Sequence, residues 1–482
     1  MPEKVGLKES VSMAVGGMVG GGIFAVLGVV ASAAGPISWF AFITAGIIAA
    51  CSGYSFIRLN NILDGANNPI NFIEEFTGNR NLAGMTGWTF VFGYIGTMAM
   101  YAFAFGGYFQ ELSGLHTITG IPVRPLISFL VIAGFVTLNV LGAHASGKTE
   151  NLLVALKITI LLVFCLAGLY YGFSQGKISS GLDMLGFGSL IAAAISFVAF
   201  EGWELLMFDQ GTIKDPKKTI RKAIYISIGS ATALYVLVAV VTTNLLKPSV
   251  IARHSETALA IAAKPFLGSA GFVLISLAAM LSTGSAINAT LFSSSRLSRK
   301  LVSEKLLPHE LRDESANEPI RALLVLGALT SGLTVLGSLK AITSFASLAF
   351  ITIFGSVSLL AFRKRDSLRN TVPPLVGVLG SAATVVTLLW HLYSTEIHVF
   401  YSVFLIAALV VSAELLYFKR DEIEEASEDV EEEAEELEEE AEEIGDEVEE
   451  NVEELEEELE KESEEEAEKL AEEREDSRDK EH

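Results

Sequence analysis

The chain reads as an all-α integral membrane protein of twelve transmembrane helices with an acidic tail, and three observations carry that reading. Apolar residues make up 51% of 482 positions and mean hydropathy is +0.46, although the formal net charge is −24. The negative charge is segregated: from Asp421 onward 37 of 62 residues are Glu or Asp, whereas residues 1–420 are mildly basic. Those first 420 residues contain twelve apolar runs, each near the roughly 20 residues needed to cross hydrocarbon. Residues 1–420 are therefore expected to form a transmembrane domain, and residues 421–482 an acidic cytoplasmic tail.

The runs fall at 11–33, 36–57, 83–110, 123–142, 150–173, 187–209, 222–246, 270–295, 319–337, 340–362, 373–391 and 398–418. The stretch from Val11 lacks a short apolar segment with a small-residue cleavage pattern, so it is expected to remain as the first membrane helix. Cys51 and Cys165 lie inside apolar runs and read as packing residues. With the N-terminus inside, about twenty Lys and Arg fall in inside segments against six outside, which places both termini in the cytoplasm. Ser255–Phe266 is too short and polar to span and is expected as an external amphipathic helix. The inside loop from Arg296 to Pro319 is expected to be helical along the membrane surface.

In the tail, Val430, Ala434, Leu437, Ala441, Ile444 and Val448 alternate at four and three residues, a heptad seam interrupted at Val452. Densely packed Glu repels itself, so a solvated helix or disordered arm is the expectation. A coiled coil between subunits would need high ionic strength. Such a tail suits a salt-rich cytoplasm, and hence a halophilic source.

Two stretches carry chemistry. The first run contains Gly16-Gly17-Met18-Val19-Gly20-Gly21-Gly22-Ile23-Phe24. Each glycine disfavours a helix by about 1 kcal/mol relative to Ala, so a break is expected, lined by protein because bare backbone cannot face lipid. A broken helix offers N–H groups to a carboxylate and C=O groups to an ammonium. The same glycines are also what close helix packing requires. The sixth run contains Phe197-Val198-Ala199-Phe200-Glu201-Gly202-Trp203-Glu204. Two carboxylates near mid-membrane are costly and by default functional. A break at Gly202 would separate them, and a proton-carrying role is expected. Lys157, the third intramembrane charge, either reaches the interface or points into the bundle.

Gly142-Ala143-His144-Ala145-Ser146-Gly147-Lys148-Thr149 fits a phosphate-loop pattern, but a membrane-length run on each side removes the strand it needs. No metal-ligand spacing or nucleophile motif points to an enzyme or to a cofactor. The loop cations follow from topology and imply no nucleic acid.

With these residues in view, the chain over about 5–420 resembles the amino acid–polyamine–organocation (APC) superfamily of permeases. The matching stretches are GGMVGGGIF, FVAFEGWE with IKDPKKTIRKAI, LNVLGAHASGKTENLLVALKI, SSSRLSRKLVSEKLLPHELRDESANEPIRALL and LLAFRKR. The resemblance implies a five-plus-five inverted repeat of the LeuT type with helices one and six broken. It implies secondary active transport of amino acids across the cell membrane, with cationic amine or polyamine exchange, or a non-transporting sensor, as alternatives. Gly21 and Gly22 would then offer N–H groups to a substrate carboxylate, with Val19 and Gly20 in the same break. Met18, Val198 and Glu201 would offer carbonyls to an ammonium. Val198 and Trp203 would border the side-chain pocket, next to Phe200. Glu204 and Lys157 would serve proton coupling, and symport with protons is the expected mode. The chain departs from the family pattern at Gly211-Thr212, Arg221 and Ala66-Asn67-Asn68.

Overall fold

The computed structural model describes residues 4–63, 68–142, 147–308, 311, 319–413 and 415–417, together with positions 461, 463 and 469. All but three positions of the acidic tail, its heptad seam included, residues 309–310 and 312–318 of the loop before Pro319, and Ala143–Ser146 of the phosphate-loop pattern lie outside the described residues. The chain divides into two units, Met1–Glu414 and Leu415–His482.

The first unit is helical. Its helices are α1 Leu7–Ala34, α2 Ser38–Ile62, α3 Pro69–Thr77, α4 Arg80–Ser113, α5 Val123–Val140, α6 Gly147–Ser174, α7 Phe187–Ser196 and α8 Leu205–Phe208. They continue with α9 Pro216–Leu245, α10 Pro248–Arg253, α11 Ala258–Ser303, α12 Ile320–Leu336, α13 Leu339–Arg363 and α14 Val372–Thr395. A last helical stretch, α15, is Ile397–Tyr417, which continues past the end of the first unit at Glu414. Among the described residues the only sheet is a two-residue hairpin, β1 Thr117–Ile118 with β2 Ile121–Pro122.

Each of the twelve apolar runs is, among the described residues, largely helical, the sixth with an interruption. Ten helical stretches among the described residues are long and apolar enough to cross a membrane. One of them, Leu7–Ile62, contains both α1 and α2, and α12 is shorter at 17 residues. The segment expected as an external amphipathic helix is the start of α11, which kinks at Gly268 (φ 63°) to separate a short helix from a long one.

The helices sort by environment. The apolar windows of α1–α2 and of Phe187–Phe208 are 94% buried, whereas that of α15 is 12% buried, so the first two are enclosed by protein and α15 faces outward. α1 packs on α4, α6, α7, α9 and α11, at the centre of the bundle.

The predicted break in the first helix is not there. α1 continues through Gly16–Phe24 as one helix of 28 residues. Within hydrocarbon an unpaired backbone group costs several kcal/mol, whereas helical glycine costs about 1 kcal/mol, so keeping the ladder intact is favoured. The glycines serve instead as contact points. A Cβ on Gly17 would sit 3.0 Å from Gly202 Cα, one on Gly20 2.7 Å from Ala286 Cβ, and one on Gly22 2.8 Å from Ala199 Cα. The Tyr101 ring lies directly on Gly21, and the Ser255 backbone on Gly28.

The sixth run does break. α7 tightens into a 3-10 turn over Phe197–Phe200, and Glu201 adopts an extended conformation (ψ 147°). Gly202 takes φ +121°, and the chain resumes as α8. A side chain at Gly202 would collide with Met18 N at 2.8 Å and with the Gly17 backbone at 2.9 Å, so only glycine suits both the dihedral and the contact.

Candidate functional site at the α1–α7 crossing

The break brings main chain against main chain: Gly17 to Met18 of α1 meet Gly202, and Gly22 meets Ala199. Met18, Val19, Val198, Phe200, Trp203 and Glu204 are wholly buried, and Gly20, Gly21, Gly22, Glu201 and Lys157 are buried with them. All the residues singled out in the sequence therefore belong to one interior region, but their side chains do different things.

Gly202 separates the two carboxylates. Glu201 Oε2 lies 2.5 Å from Thr97 Oγ1 of α4, and that hydroxyl is also 3.1 Å from the Gly93 carbonyl. One hydroxyl hydrogen cannot serve two acceptors. Either Thr97 donates to an ionised Glu201, or a protonated Glu201 donates to Thr97, which passes its own hydrogen to Gly93. The pair is built to tolerate both states. Glu204 folds back on the break: its Oε2 accepts the Gly202 N–H at 2.7 Å, and its Oε1 accepts the Tyr94 hydroxyl at 3.4 Å. Glu204 thus holds the turn that Gly202 makes possible.

Lys157 points into the bundle. Its ammonium donates to the Gly16 carbonyl at 3.0 Å and the side chain is 4% exposed. Two further α1 carbonyls accept side-chain donors, Val19 from Ser282 of α11 (3.1 Å) and Phe24 from Tyr108 of α4 (3.1 Å). Across the break, Tyr235 of α9 donates to the Ala199 carbonyl at 2.8 Å. Hydroxyls from three helices thus clamp α1 and the broken helix from outside.

Trp203 turns away from α1. Its indole meets Phe56 of α2 and Phe354 of α13, with ring centroids 5.1 and 5.0 Å away, and its N–H has no acceptor among the described residues. Phe90, Tyr94, Phe197 and Phe350 extend this cluster. Beyond it Asn60 and Gln210 exchange amide hydrogen bonds (3.1 and 3.2 Å). Val5 then pairs with the loop after α8, donating to the Thr212 carbonyl and accepting from the Lys214 N–H, each at 2.9 Å.

The opposite end of α1 is covered as well. Arg124 bonds Glu256 at 2.9 Å, Glu256 presses on Gly107, and His254 lies 3.6 Å from Glu111. Burial holds the Glu256 carboxyl above its ordinary value, although Arg124 opposes that rise. The crossing is closed at both ends.

Sequence reasoning missed Thr97, Tyr101, Tyr108, Tyr235 and Ser282. A usable signal existed in α4, where Tyr94, Thr97, Tyr101 and Tyr108 recur at helical spacing along one face of an otherwise apolar helix.

The chain is similar to known proteins over nearly all of its membrane-spanning part. The profile of a family described as "Amino acid permease" matches residues 5–416. A protein of Methanocaldococcus jannaschii is 31% identical over 86% of this chain and 96% of its own length. The inner membrane transport protein YbaT of Escherichia coli is 30% identical over 81% of this chain and 90% of its own. Among solved structures, MhsT in complex with L-phenylalanine superposes with a TM-score of 0.59 at 13% identity, covering 79% of this chain and 97% of that one. That likeness is of fold, the LeuT type.

Proposed function

This chain belongs to the amino acid permease family, a family of membrane transporters and not of enzymes, and on that premise we propose that it takes up an amino acid across the cell membrane in symport with protons. The site is the α1–α7 crossing, and transport proceeds by alternating access, the Trp203–Phe354 cluster and the Arg124–Glu256 cover opening in turn. The division of the chain into a transporter of residues 1–420 with twelve crossings and a cytoplasmic tail of residues 421–482 is part of the same proposal, with both termini inside.

One observation carries the reading: two buried carboxylates flank a glycine break that touches the glycine run of α1. The extended backbone at Glu201 interrupts the helical ladder, and carbonyls of Val198 and Glu201 suit an α-ammonium. An α-carboxylate would take N–H groups of Gly21 and Gly22, which requires α1 to open locally. The glycine run lowers the cost of that opening, because each glycine weakens the helix by about 1 kcal/mol. Glu201 and Glu204, with Lys157 on the Gly16 carbonyl, are the proton-carrying groups of the proposal.

The test is uptake of labelled neutral amino acids into proteoliposomes under an imposed inward proton gradient. Accumulation abolished by a protonophore supports symport. Uptake indifferent to the gradient but dependent on internal substrate would make the protein an exchanger, and preference for a cationic amine would fit the two carboxylates. No flux of any amine would defeat the proposal.

A further inference from the structure

We propose that the groove between α2 and α9 is a binding site for one acyl chain of an anionic phospholipid, with Lys218, Arg221 and Lys222 holding its phosphate. The groove is an open recess of about 460 Å³. α2 and α9 touch where Gly46 meets Thr232, and around that contact Ala50, Gly229 and Ala233 leave space that larger residues would fill. At Gly229 an added Cβ would meet nothing within 4 Å. The recess is open and apolar.

Its direction is set by one helical stripe. Lys218, Lys222, Tyr225, Gly229, Thr232 and Val236 follow at steps of four and three, so they share one face of α9. From Tyr225 to Val236 that face rises about 16 Å at 1.5 Å per residue. Half of the roughly 30 Å hydrocarbon thickness is about 15 Å, so the groove matches one leaflet. Lys218, Arg221 and Lys222 are exposed and stand one to two turns below Tyr225, at the depth of a headgroup. Topology alone accounts for cations in a loop. It does not account for a glycine-floored recess one leaflet long that starts at those cations, and charge complementarity then selects an anionic headgroup.

Native mass spectrometry of the full-length protein, with phosphatidylglycerol and phosphatidylcholine of identical acyl chains, tests this. Wild type is expected to retain phosphatidylglycerol preferentially. Lys218→Gln with Lys222→Gln should lower that retention by roughly 30-fold, about 5-fold for each ~1 kcal/mol cation removed, while phosphatidylcholine is unaffected. Gly229→Leu should displace both lipids at an unchanged melting temperature. Should that variant melt lower, Ala233→Leu, at an exposed groove position, gives the same readout. Equal retention of the two lipids by wild type, or full retention after the groove is filled, would overturn the proposal. So would glycerol 3-phosphate binding as tightly as phosphatidylglycerol. A protein dimer that Gly229→Leu dissociates would give the groove to a second copy and overturn it as well.

Discussion

Replacing Gly202 with Ala isolates the contact on which the site is built. The new methyl would lie 2.8 Å from Met18 N and 2.9 Å from Gly17 Cα and C, all main-chain atoms that cannot rotate aside. It would also force an L-residue to φ +121°. Backbone strain of that kind costs about 1–3 kcal/mol, and overpacking a tight interior another 1–3 kcal/mol or so. The expected destabilisation is therefore about 2–6 kcal/mol, large against the roughly 5–15 kcal/mol by which folded domains are stable. The Gly202 N–H also binds Glu204, so the turn and the carboxylate should be disturbed together. The assay is thermal unfolding of the detergent-purified protein, followed by amino acid uptake in proteoliposomes. Gly229→Ala is the control: its methyl meets nothing within 4 Å, and helix propensity should make it neutral or stabilising by up to about 1 kcal/mol. If Gly202→Ala melts and transports like wild type while Gly229→Ala does too, the account of the crossing is wrong.

Other consequences are equally specific. Glu204→Gln keeps an acceptor for the Gly202 N–H but cannot carry a proton, so the protein should fold while uptake loses its response to an imposed pH gradient; wild-type gradient dependence would refute the assignment. Lys157→Met removes the ammonium from the Gly16 carbonyl and leaves its stem, so gradient-driven uptake should fall at least tenfold, the factor that about 1.4 kcal/mol represents, with charge-assisted hydrogen bonds worth about 1.5–3 kcal/mol. Glu256 sits above its ordinary value of 4.5, so the folded protein binds its proton more readily than the unfolded chain does. Its contribution to stability is thus full at acid pH and declines as pH rises through the raised value. Melting temperature measured across that range should show a decline in wild type that Glu256→Gln lacks.

What the sequence could reveal followed from how local each feature is. Apolar runs long enough to cross a bilayer are local, and among the described residues all twelve are largely helical. The break at Gly202 is nearly local, because two carboxylates around a glycine in an apolar run are costly to bury unless the chain turns there to give them partners. The glycine run of α1 was ambiguous, since unwinding and close packing use the same residues. What decided it was partners far along the chain, Ala199, Gly202 and Ala286, whose approach no spacing within α1 encodes. The same limit hid the Arg124–Glu256 pair, 132 residues apart, and the hydroxyl of Thr97 against Glu201, 104 residues apart. Lys157 left two orientations open from sequence, and only the position of the Gly16 carbonyl separates them. The resemblance placed Trp203 at a pocket wall, and its ring lies with Phe56 and Phe354, 147 and 151 residues away in the chain, contacts that no local spacing encodes.

A density map of the protein with a transported amino acid bound would locate the ligand and show the state of α1. The ligand is expected between α1 and the broken helix, its ammonium on carbonyls near Val198 and Glu201, and α1 opened at Gly20–Gly22 around its carboxylate. An amino acid bound elsewhere, with α1 still one unbroken helix against Ala199 and Gly202, would contradict the proposed site.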